Sequence, residues 1–439
     1  MRPGAERSAG FLLGLLPLML LFPACGRSRP QARPNVVLAV IDTLRADHLP
    51  FLGYRVNTAP FLTGLAAGGV VCESCYSTSS YTSPATASIL TSLYPFQHGV
   101  LKGLIVTLNQ QATDSSLKLN RIPEAVTTLA EWLRAAGYRT YAVADNLNIG
   151  EAEGFTQGFD RFITLNNRGA DEVNRRVLQW RREMATGTPY FLYIHYMDPH
   201  APYMARRPWY MPGGGELQDQ LSRYDSEIRF VDERLRELAD GLDWKRNTLL
   251  VVTADHGEEF LDHGQTGHGK TLYNEVLRVP LLFWSRALKL GPRRVSEPVS
   301  TLDIMPTLGS MLGLPERRGL SGNSLWPPVQ QDAGTIRPLF ATLLASRPDA
   351  PDRRLRATLW NGWKLIVSGD EYRELYDTRR HPRERINQYG SAENAALAEK
   401  LNAFYLSFSA RCPVFRQETT ERHIDPQLLA ELKTLGYVQ

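Results

Sequence analysis

The chain has 439 residues, of which 43% are hydrophobic and 22% are charged, values typical of a folded globular protein rather than a disordered or fibrous one. A domain usually has about 100 to 200 residues, so this length holds one large α/β unit or two or three smaller ones. The 50 basic and 46 acidic side chains give a formal charge of +4, which is too balanced for nucleic-acid binding through bulk charge. We therefore expect no nucleic-acid partner.

The N-terminal segment predicts an export signal. Residues 11–24 are apolar and follow Arg2 and Arg7. A run of about 14 residues suits the hydrophobic region of a secretory signal but is short for a spanning helix. We therefore expect residues 1–24 to be a signal peptide and the protein to be exported to the cell envelope or periplasm.

The end of this apolar run resembles a bacterial lipobox. Cys25 follows the small residue Ala24 and precedes a polar stretch, residues 26–34. The prediction is that Cys25 is lipidated, that residues 25–34 form a linker, and that the lipid anchors the protein to a membrane. Ordinary signal-peptidase cleavage and an uncleaved anchor are the alternatives.

Three further cysteines remain, Cys72, Cys75 and Cys412, so that at most one disulfide closes within the chain. The spacing of Cys72 and Cys75 is compatible with a metal or redox pair, but no second cysteine pair or flanking histidine accompanies it. Buried structural thiols, or a bridge between these two residues, are the favoured interpretations.

Strand and helix patterns alternate beyond residue 34. The predicted strands are 35–41, 138–144, 190–195 and 248–253, and the predicted helices are 59–68, 86–93, 125–137, 171–184 and 222–241. The first strand is a continuous β-branched apolar run, which is typical of a strand buried on both faces of a parallel sheet. This order predicts an α/β fold with a doubly wound, mostly parallel sheet and covering helices.

The pattern changes after about residue 330. Short strands are predicted at 339–344, 355–360, 364–367 and 374–376, followed by an amphipathic helix at 393–408. Short strands joined by tight turns indicate an antiparallel meander. We therefore expect a catalytic domain over residues 35–330 and a smaller α+β subdomain with an antiparallel sheet over residues 331–439.

Side chains that can bind metals stand where three predicted strands end. Asp42 follows the first strand, His195 closes the third, and Asp255 and His256 follow the fourth. The carboxyl ends of strands form the binding crevice in open α/β sheets. We therefore expect these four residues to converge.

Seven segments then carry a family resemblance in chain order. They are 35–47, 82–95, 195–203, 255–258, 270–280, 302–307 and 374–377, and Leu435-Gly436-Tyr437 resembles a common ending of one bacterial branch. Together they resemble the sulfatase family of the alkaline phosphatase superfamily. The resemblance runs from about residue 34 to the C-terminus.

The resemblance places the nucleophile at Thr82 and one divalent ion on Asp42, Thr82, Asp255 and His256. Carboxylate oxygens and an imidazole nitrogen suit Mn, Mg, Zn or Ca. A bound ion is a recognised means of activating a hydroxyl that is otherwise a poor nucleophile. The implied step is in-line attack of Thr82 on a phosphorus or sulfur centre.

Other residues take supporting roles in this interpretation. The family counterparts of His200 and Lys270 lie near the leaving-group oxygen and the bound anion, so we assign them as general acid and charge clamp. His195 and His268 are assigned to substrate binding together with Lys270. His268 is also a candidate ligand of a second metal ion.

Departures from the family favour phosphorus chemistry. Sulfatases proper carry Cys or Ser at the position of Thr82 and Arg at the position of Thr86, and they oxidise the first to formylglycine. Without that group, a metal-dependent hydrolase or transferase of a phosphate or phosphodiester is favoured. The phosphoethanolamine and lipoteichoic-acid transferase branches resemble this site.

Two other functions remain open at this point. One is hydrolysis of sulfuric esters without formylglycine, and the other is non-catalytic, lipid-anchored binding of an anion or glycan. In each case the partner is an anionic phosphorylated or sulfated lipid, glycan or small molecule.

Overall fold

The computed structural model describes residues 1, 4, 33–111, 118–327, 337–346, 351–369 and 372–415. By their contacts, Met1–Arg33 and Pro34–Gln439 form two separate compact units. The predicted lipidation site Cys25 and the ending Leu435-Gly436-Tyr437 lie outside the described residues, as do nearly all of the predicted signal peptide and linker. In the described part of the chain, no helix is both long and apolar enough to cross a membrane.

The strands of the described residues fall into three sheets. In chain order they are β1 (Asn35–Ile41), β2 (Val70–Tyr76), β3 (Arg139–Ala144), β4 (Arg161–Thr164), β5 (Tyr190–Tyr196), β6 (Thr248–Thr253), β7 (Glu259–Phe260), β8 (Thr266–Gly267), β9 (Arg278–Trp284), β10 (Arg293–Val295), β11 (Val299–Ser300), β12 (Leu339–Ala345), β13 (Arg353–Trp360), β14 (Trp363–Ser368) and β15 (Tyr372–Asp377).

The helices alternate with these strands. In chain order they are α1 (Pro60–Ala66), α2 (Thr82–Thr91), α3 (Pro95–His98), α4 (Leu104–Gln111), α5 (Leu129–Ala135), α6 (Ala170–Gln179), α7 (Arg181–Met184), α8 (Glu216–Gly241), α9 (Trp244–Asn247), α10 (Asn274–Leu277), α11 (Ile304–Met311) and α12 (Ala395–Arg411), with short 3₁₀ turns at Ala46–His48, Pro50–Leu52, Thr301–Asp303 and Ala392–Asn394.

The main sheet has the strand order β10-β2-β9-β6-β1-β5-β3-β4, and β11 pairs with β2. All of its pairings are parallel except those of β9, which runs antiparallel to both β2 and β6. The residues of β5 and β6 are all buried, as are all but the first of β1. This burial explains the continuous apolar runs of these strands. The predicted mostly parallel α/β sheet is confirmed.

The four C-terminal strands form the predicted antiparallel sheet, in the order β12-β13-β14-β15. One face packs against Tyr76 of β2 and Leu272, Val276 and Leu277, while Ala398 and Leu401 of α12 cover other strand residues. The predicted domain boundary near residue 330 falls among residues 328–336, outside the described residues, so the boundary stays a prediction.

Several element bounds differ from the sequence-based ones. Helix α2 begins at Thr82 instead of residue 86, because Pro84 lies in the first turn, where its missing N–H costs no helical hydrogen bond. Helix α8 begins at Glu216, six residues before the predicted start at residue 222. The strands that were not predicted are β4, β7, β8, β9, β10 and β11.

The cysteine pair lies inside β2. Cys72 and Cys75 are buried and free, and the pairing of β2 with β9 shifts register between them. Cys412 is also free. Burial raises the pKa of the Cys72 thiol, which makes it a poor nucleophile or ligand. Of the two favoured interpretations, the structure therefore has buried thiols rather than a bridge.

Candidate active site

Polar side chains at or just after the ends of four neighbouring strands lie at one edge of the main sheet. Strand β1 lies between β5 and β6, and its Val40 is in register with both His195 and Thr253. Asp42 and Asp255 follow one and two residues after the ends of β1 and β6. The Asp42 backbone N–H also donates to the Tyr196 carbonyl at 2.8 Å, which extends the β1–β5 pairing to the edge.

Two carboxylates and two imidazoles meet at this edge. The His195 Nε2 atom lies 3.8 Å from Asp42 Oδ2 and 3.7 Å from Asp255 Oδ2. The His256 Nε2 atom lies 3.7 Å from Asp42 Oδ1 and 3.6 Å from Asp255 Oδ2. None of these four side chains is exposed to solvent. Such separations exceed hydrogen-bonding distance and leave space for an ion between the groups.

Unpaired buried atoms provide a test of whether a cation fits here. Asp42 Oδ1, Asp255 Oδ2 and both ring nitrogens of His195 have no hydrogen-bond partner among the described residues. Buried charged or polar atoms without partners are costly unless they are paired or coordinate a metal. Asp42, His195 and Asp255 accordingly form a group that could hold a metal ion.

His256 is oriented by its own backbone neighbourhood. Its Nδ1 lies 2.9 Å from the Gly257 carbonyl, so in the Nδ1–H form this nitrogen donates and Nε2 keeps its lone pair toward the carboxylates. The His256 backbone N–H donates to Asp255 Oδ1 at 2.9 Å. The two residues therefore present Asp255 Oδ2 and His256 Nε2 together.

The carboxylates and imidazoles of the group shift one another's pKa values. Burial alone would raise the pKa of Asp255, but His256 and His195 outweigh burial and lower the pKa to about 2. Burial conversely lowers the pKa of His195 and His256, and the two carboxylates outweigh it and raise both. Each charge of the group is therefore stabilised by neighbours of opposite sign.

Thr82 is the first residue of α2, and its Oγ1 lies 3.3 Å from His256 Nε2. The first N–H groups of a helix have no partner within the helix and favour a bound anion. The helix predicted over residues 86–93 would leave Thr82 outside it, whereas Thr82 lies in the first turn of α2. The hydroxyl therefore lies beside both the metal-binding group and a site suited to an anion.

Asn146 and Asn148 follow β3, the strand beyond β5. Asn146 Nδ2 donates to Asp42 Oδ2 at 2.9 Å, and Asn146 Oδ1 accepts from the Asn148 backbone N–H at 2.9 Å. Ser83, next to Thr82, has its Oγ 3.0 Å from the Asn148 carbonyl and 2.9 Å from Glu153 Oε1. These contacts fix the orientation of Asp42 and the start of α2.

A second group of residues lies near His256. The His268 ring centroid is 4.4 Å from that of His256 and 5.0 Å from that of His200. His268 Nδ1 lies 2.9 Å from Glu258 Oε1, and Tyr203 donates to Glu258 Oε2 at 2.9 Å. Burial alone would raise the pKa of Glu258, but His268 outweighs burial and holds the pKa below its ordinary value.

The structure does not bring every predicted site residue into this group. His195, assigned to the substrate in the sequence analysis, lies with the carboxylates at the base of the site. Lys270, assigned as the charge clamp, is exposed and donates to the Thr266 carbonyl at 2.8 Å. His200 is partly buried, with Nδ1 2.6 Å from the Ala201 carbonyl.

Two carboxylates beside the site have no role predicted from the sequence. Glu153 is fully buried against Ser83, and burial raises its pKa well above the ordinary value. Glu258 belongs to the Asp-His-Gly-Glu motif, which was the available signal for it. No local pattern marks Glu153, because its contact with Ser83 spans 70 residues.

Comparison with known proteins agrees with this architecture. A family profile described as Sulfatase matches residues 34–314. An uncharacterized sulfatase of Escherichia coli (strain K12) is 21% identical over 451 residues, which covers 86% of this chain and 87% of the relative. Human arylsulfatase A is 25% identical over 358 residues, which cover 68% of this chain and 67% of the relative. The solved phosphonate monoester hydrolase of Agrobacterium radiobacter superposes with a TM-score of 0.72 at 20% identity, covering 86% of this chain and 96% of that one.

Proposed function

The chain belongs to the sulfatase family, and from that premise we propose that it is a metal-dependent hydrolase of phosphorus esters with Thr82 as its nucleophile. The observation that carries the proposal is the 3.3 Å separation between Thr82 Oγ1 and His256 Nε2. This contact lies at the edge of a buried group of two carboxylates and two imidazoles.

Asp42, Asp255, His256 and Thr82 would hold the divalent ion, with His195 beside the same carboxylates. Oxygen and imidazole donors of this kind suit Mn, Mg, Zn or Ca. When bound, such an ion lowers the pKa of a coordinated hydroxyl and polarises an ester oxygen. Asn146, which donates to Asp42 at 2.9 Å, orients that carboxylate for the task.

The chain's own residues then carry the reaction. Thr82 Oγ1 attacks phosphorus in line with the leaving oxygen, and the first N–H groups of α2 stabilise the negative charge of the ester. His200 Nδ1 faces the Ala201 carbonyl, which leaves Nε2 to deliver a proton to the leaving oxygen. Lys270, which is exposed and donates to the Thr266 carbonyl, would have to turn toward the ester to act as the clamp on the anion.

The residue at position 82 favours phosphorus over sulfur. A sulfated formylglycine is released when its aldehyde hydrate collapses, and threonine cannot form that hydrate. A phosphothreonine can instead be cleaved by attack of water. The enzyme therefore needs a second step, in which water displaces Thr82 from phosphorus.

A substrate panel tests the proposal. Turnover is measured for aryl phosphate, phosphodiester, phosphonate and sulfate esters in the presence of added Mn, Zn or Ca. The wild type, Thr82→Ala and Thr82→Ser are compared. Serine keeps a hydroxyl and serves as the matched control. We expect metal-dependent turnover of phosphorus esters, loss of several orders of magnitude in Thr82→Ala, and partial activity in Thr82→Ser.

Three outcomes would contradict the proposal. Near-wild-type turnover in Thr82→Ala would indicate direct attack by water. Turnover of sulfate esters alone would support sulfuric ester hydrolysis without formylglycine. Anion binding without any turnover would support a non-catalytic binding protein.

We further propose that the protein acts in the cell envelope on a phosphorylated or sulfated lipid, glycan or small molecule, anchored through a lipid on Cys25. The support is the sequence pattern around Cys25.

A further inference from the structure

A short hairpin places a carboxylate and an imidazole side by side near Thr82. Glu259 of β7 pairs with Gly267 of the antiparallel strand β8. Glu258 and His268 are the next residues outward from this pair, so they lie opposite each other. The two side chains meet, with Glu258 Oε1 2.9 Å from His268 Nδ1. Residues ten positions apart in sequence thus form one unit.

Glu258 is held in a single orientation. Its side chain is fully buried, and its second oxygen accepts from the Tyr203 hydroxyl at 2.9 Å. With Nδ1–H donated to a carboxylate, the imidazole of His268 keeps the lone pair on Nε2. Glu258 therefore fixes the nitrogen that His268 offers to a substrate or to water.

His268 lies beside the buried His256 and near the residue that precedes the nucleophile. Its ring is 4.4 Å from the His256 ring and 6.3 Å from the ring of Tyr81, the residue before Thr82. The His268 side chain is 14% exposed, whereas that of His256 is 0% exposed. Water can therefore reach His268 but not the deeper histidine.

The backbone is shaped for this close approach. Gly267 and Gly269 have φ angles of 82° and 72°, a left-handed conformation that favours glycine. A Cβ atom on Gly269 would lie 2.7 Å from the Tyr81 ring. Glycine on both sides of His268 thus allows the loop to contact the residue that precedes the nucleophile.

We propose that His268 is the catalytic base of the second step and that Glu258 is its positioning residue. This inference rests on the proposed function, since only a phosphothreonine needs such a step. His256 already faces the buried carboxylates, and His200 is assigned to the leaving group. His195 also lies against these carboxylates, which leaves His268 among the described histidines of the site.

The step balances as a hydrolysis. A water oxygen bonds to phosphorus as the bond between phosphorus and Thr82 Oγ1 breaks, and His268 Nε2 takes one water proton. Thr82 Oγ1 leaves with the electron pair and recovers a proton through solvent exchange with His268. One water is consumed, and phosphate or its remaining ester is released.

Rapid-quench kinetics with bis(4-nitrophenyl) phosphate separates the two steps. In His268→Ala, the burst of about one equivalent of nitrophenol per enzyme is expected to keep its rate, while steady-state turnover falls by about 10²- to 10⁴-fold. The adduct then accumulates on Thr82 and is read by peptide mass spectrometry. Glu258→Gln is expected to show the same adduct with a smaller loss, and added imidazole is expected to restore turnover of His268→Ala.

His263→Gln is the matched control. His263 is also bound by a carboxylate, with Nδ1 2.5 Å from Glu275 Oε1, but it stacks on Tyr273 instead of lying beside His256. We expect this variant to accumulate no adduct. The control therefore separates loss of a catalytic base from loss of any carboxylate-bound histidine.

Failure of the proposed base can be distinguished from failure of the proposed function. If His268→Ala slows the burst and the steady state equally, without adduct and without imidazole rescue, His268 is not the base although Thr82 remains the nucleophile. If Glu258→Gln behaves as the wild type, the positioning role is wrong. Turnover by Thr82→Ala, with no adduct in any variant, would refute the proposed function itself.

Discussion

Arg206 joins two buried carboxylates behind the segment that carries His200. Its Nε lies 2.6 Å from Glu227 Oε2 and its Nη2 lies 3.1 Å from Asp198 Oδ1. The carboxylate side chains are at most 1% exposed, and the arginine is 30% exposed. Asp198 precedes His200 by two residues, so Arg206→Gln should disturb both stability and the general acid.

The magnitude follows from the burial of the partners. Breaking a fully buried ion pair costs about 3–5 kcal/mol. Since Arg206 keeps some contact with solvent and the carboxyls can take up protons, we expect a loss of about 2–3 kcal/mol at pH 8.

The pH dependence gives the sharper test. Burial raises the pKa of Asp198 to about 6 and that of Glu227 to about 7, from ordinary values of 3.8 and 4.5. A carboxyl with a raised folded-state pKa is destabilising once pH exceeds its unfolded value, with the full cost reached above the folded pKa. Removing Arg206 raises the pKa values of both carboxyls further. The loss of unfolding free energy in Arg206→Gln should therefore shrink to roughly 1 kcal/mol or less at pH 5.

Urea unfolding at pH 5 and pH 8 measures this difference. Arg207→Gln is the matched control, since its side chain is an exposed neighbour, and it should change stability by less than about 0.5 kcal/mol at either pH. An equal loss for Arg206→Gln at both pH values, or a larger one at pH 5, would refute the reasoning. A lowered kcat at pH 8 is the expected functional consequence.

Three further predictions concern the metal, the nucleophile and the anchor. Asp255→Ala should lose bound metal by elemental analysis and abolish activity while circular dichroism stays largely unchanged, and stoichiometric metal with turnover would contradict the ligand assignment. Mass spectrometry of the peptide containing Thr82 should show unmodified threonine, whereas an aldehyde there would argue against the preference for phosphorus esters. Cys25→Ser should move the protein from the detergent phase to the aqueous phase in Triton X-114 partitioning, and unchanged partitioning would speak against lipidation.

The convergence of strand ends could be predicted because it follows from topology alone. In a parallel sheet the carboxyl ends of adjacent strands share one edge, so Asp42 and Asp255 had to meet there once β1 and β6 were recognised as strands. The long apolar runs of these strands made that recognition secure. The start of α2 was harder to predict, since Pro84 reads as a turn residue although the first turn of a helix tolerates it.

Contacts set by side-chain direction and by short hairpins could not be predicted in the same way. His195 was assigned to the substrate, and its position 3.7 Å from Asp255 depends on which face of β5 it occupies. The pairing of Glu258 with His268 depends on a hairpin of two-residue strands, too short to give a recognisable alternation.

The residue four positions after the nucleophile bears on the charge of the preferred substrate. Sulfatases proper carry arginine where this chain has Thr86, whose buried Oγ1 has no partner among the described residues. A hydroxyl can donate one hydrogen bond but cannot offset a second negative charge. Losing a cation near the anion should cost a dianionic monoester on the order of 1–3 kcal/mol more than a monoanionic diester. With equal leaving groups, kcat/KM should therefore be about fivefold to about 150-fold higher for the monoanion, and Thr86→Arg should narrow that ratio. A preference for dianions in the wild type would show that another cation, such as Lys270, supplies the missing charge.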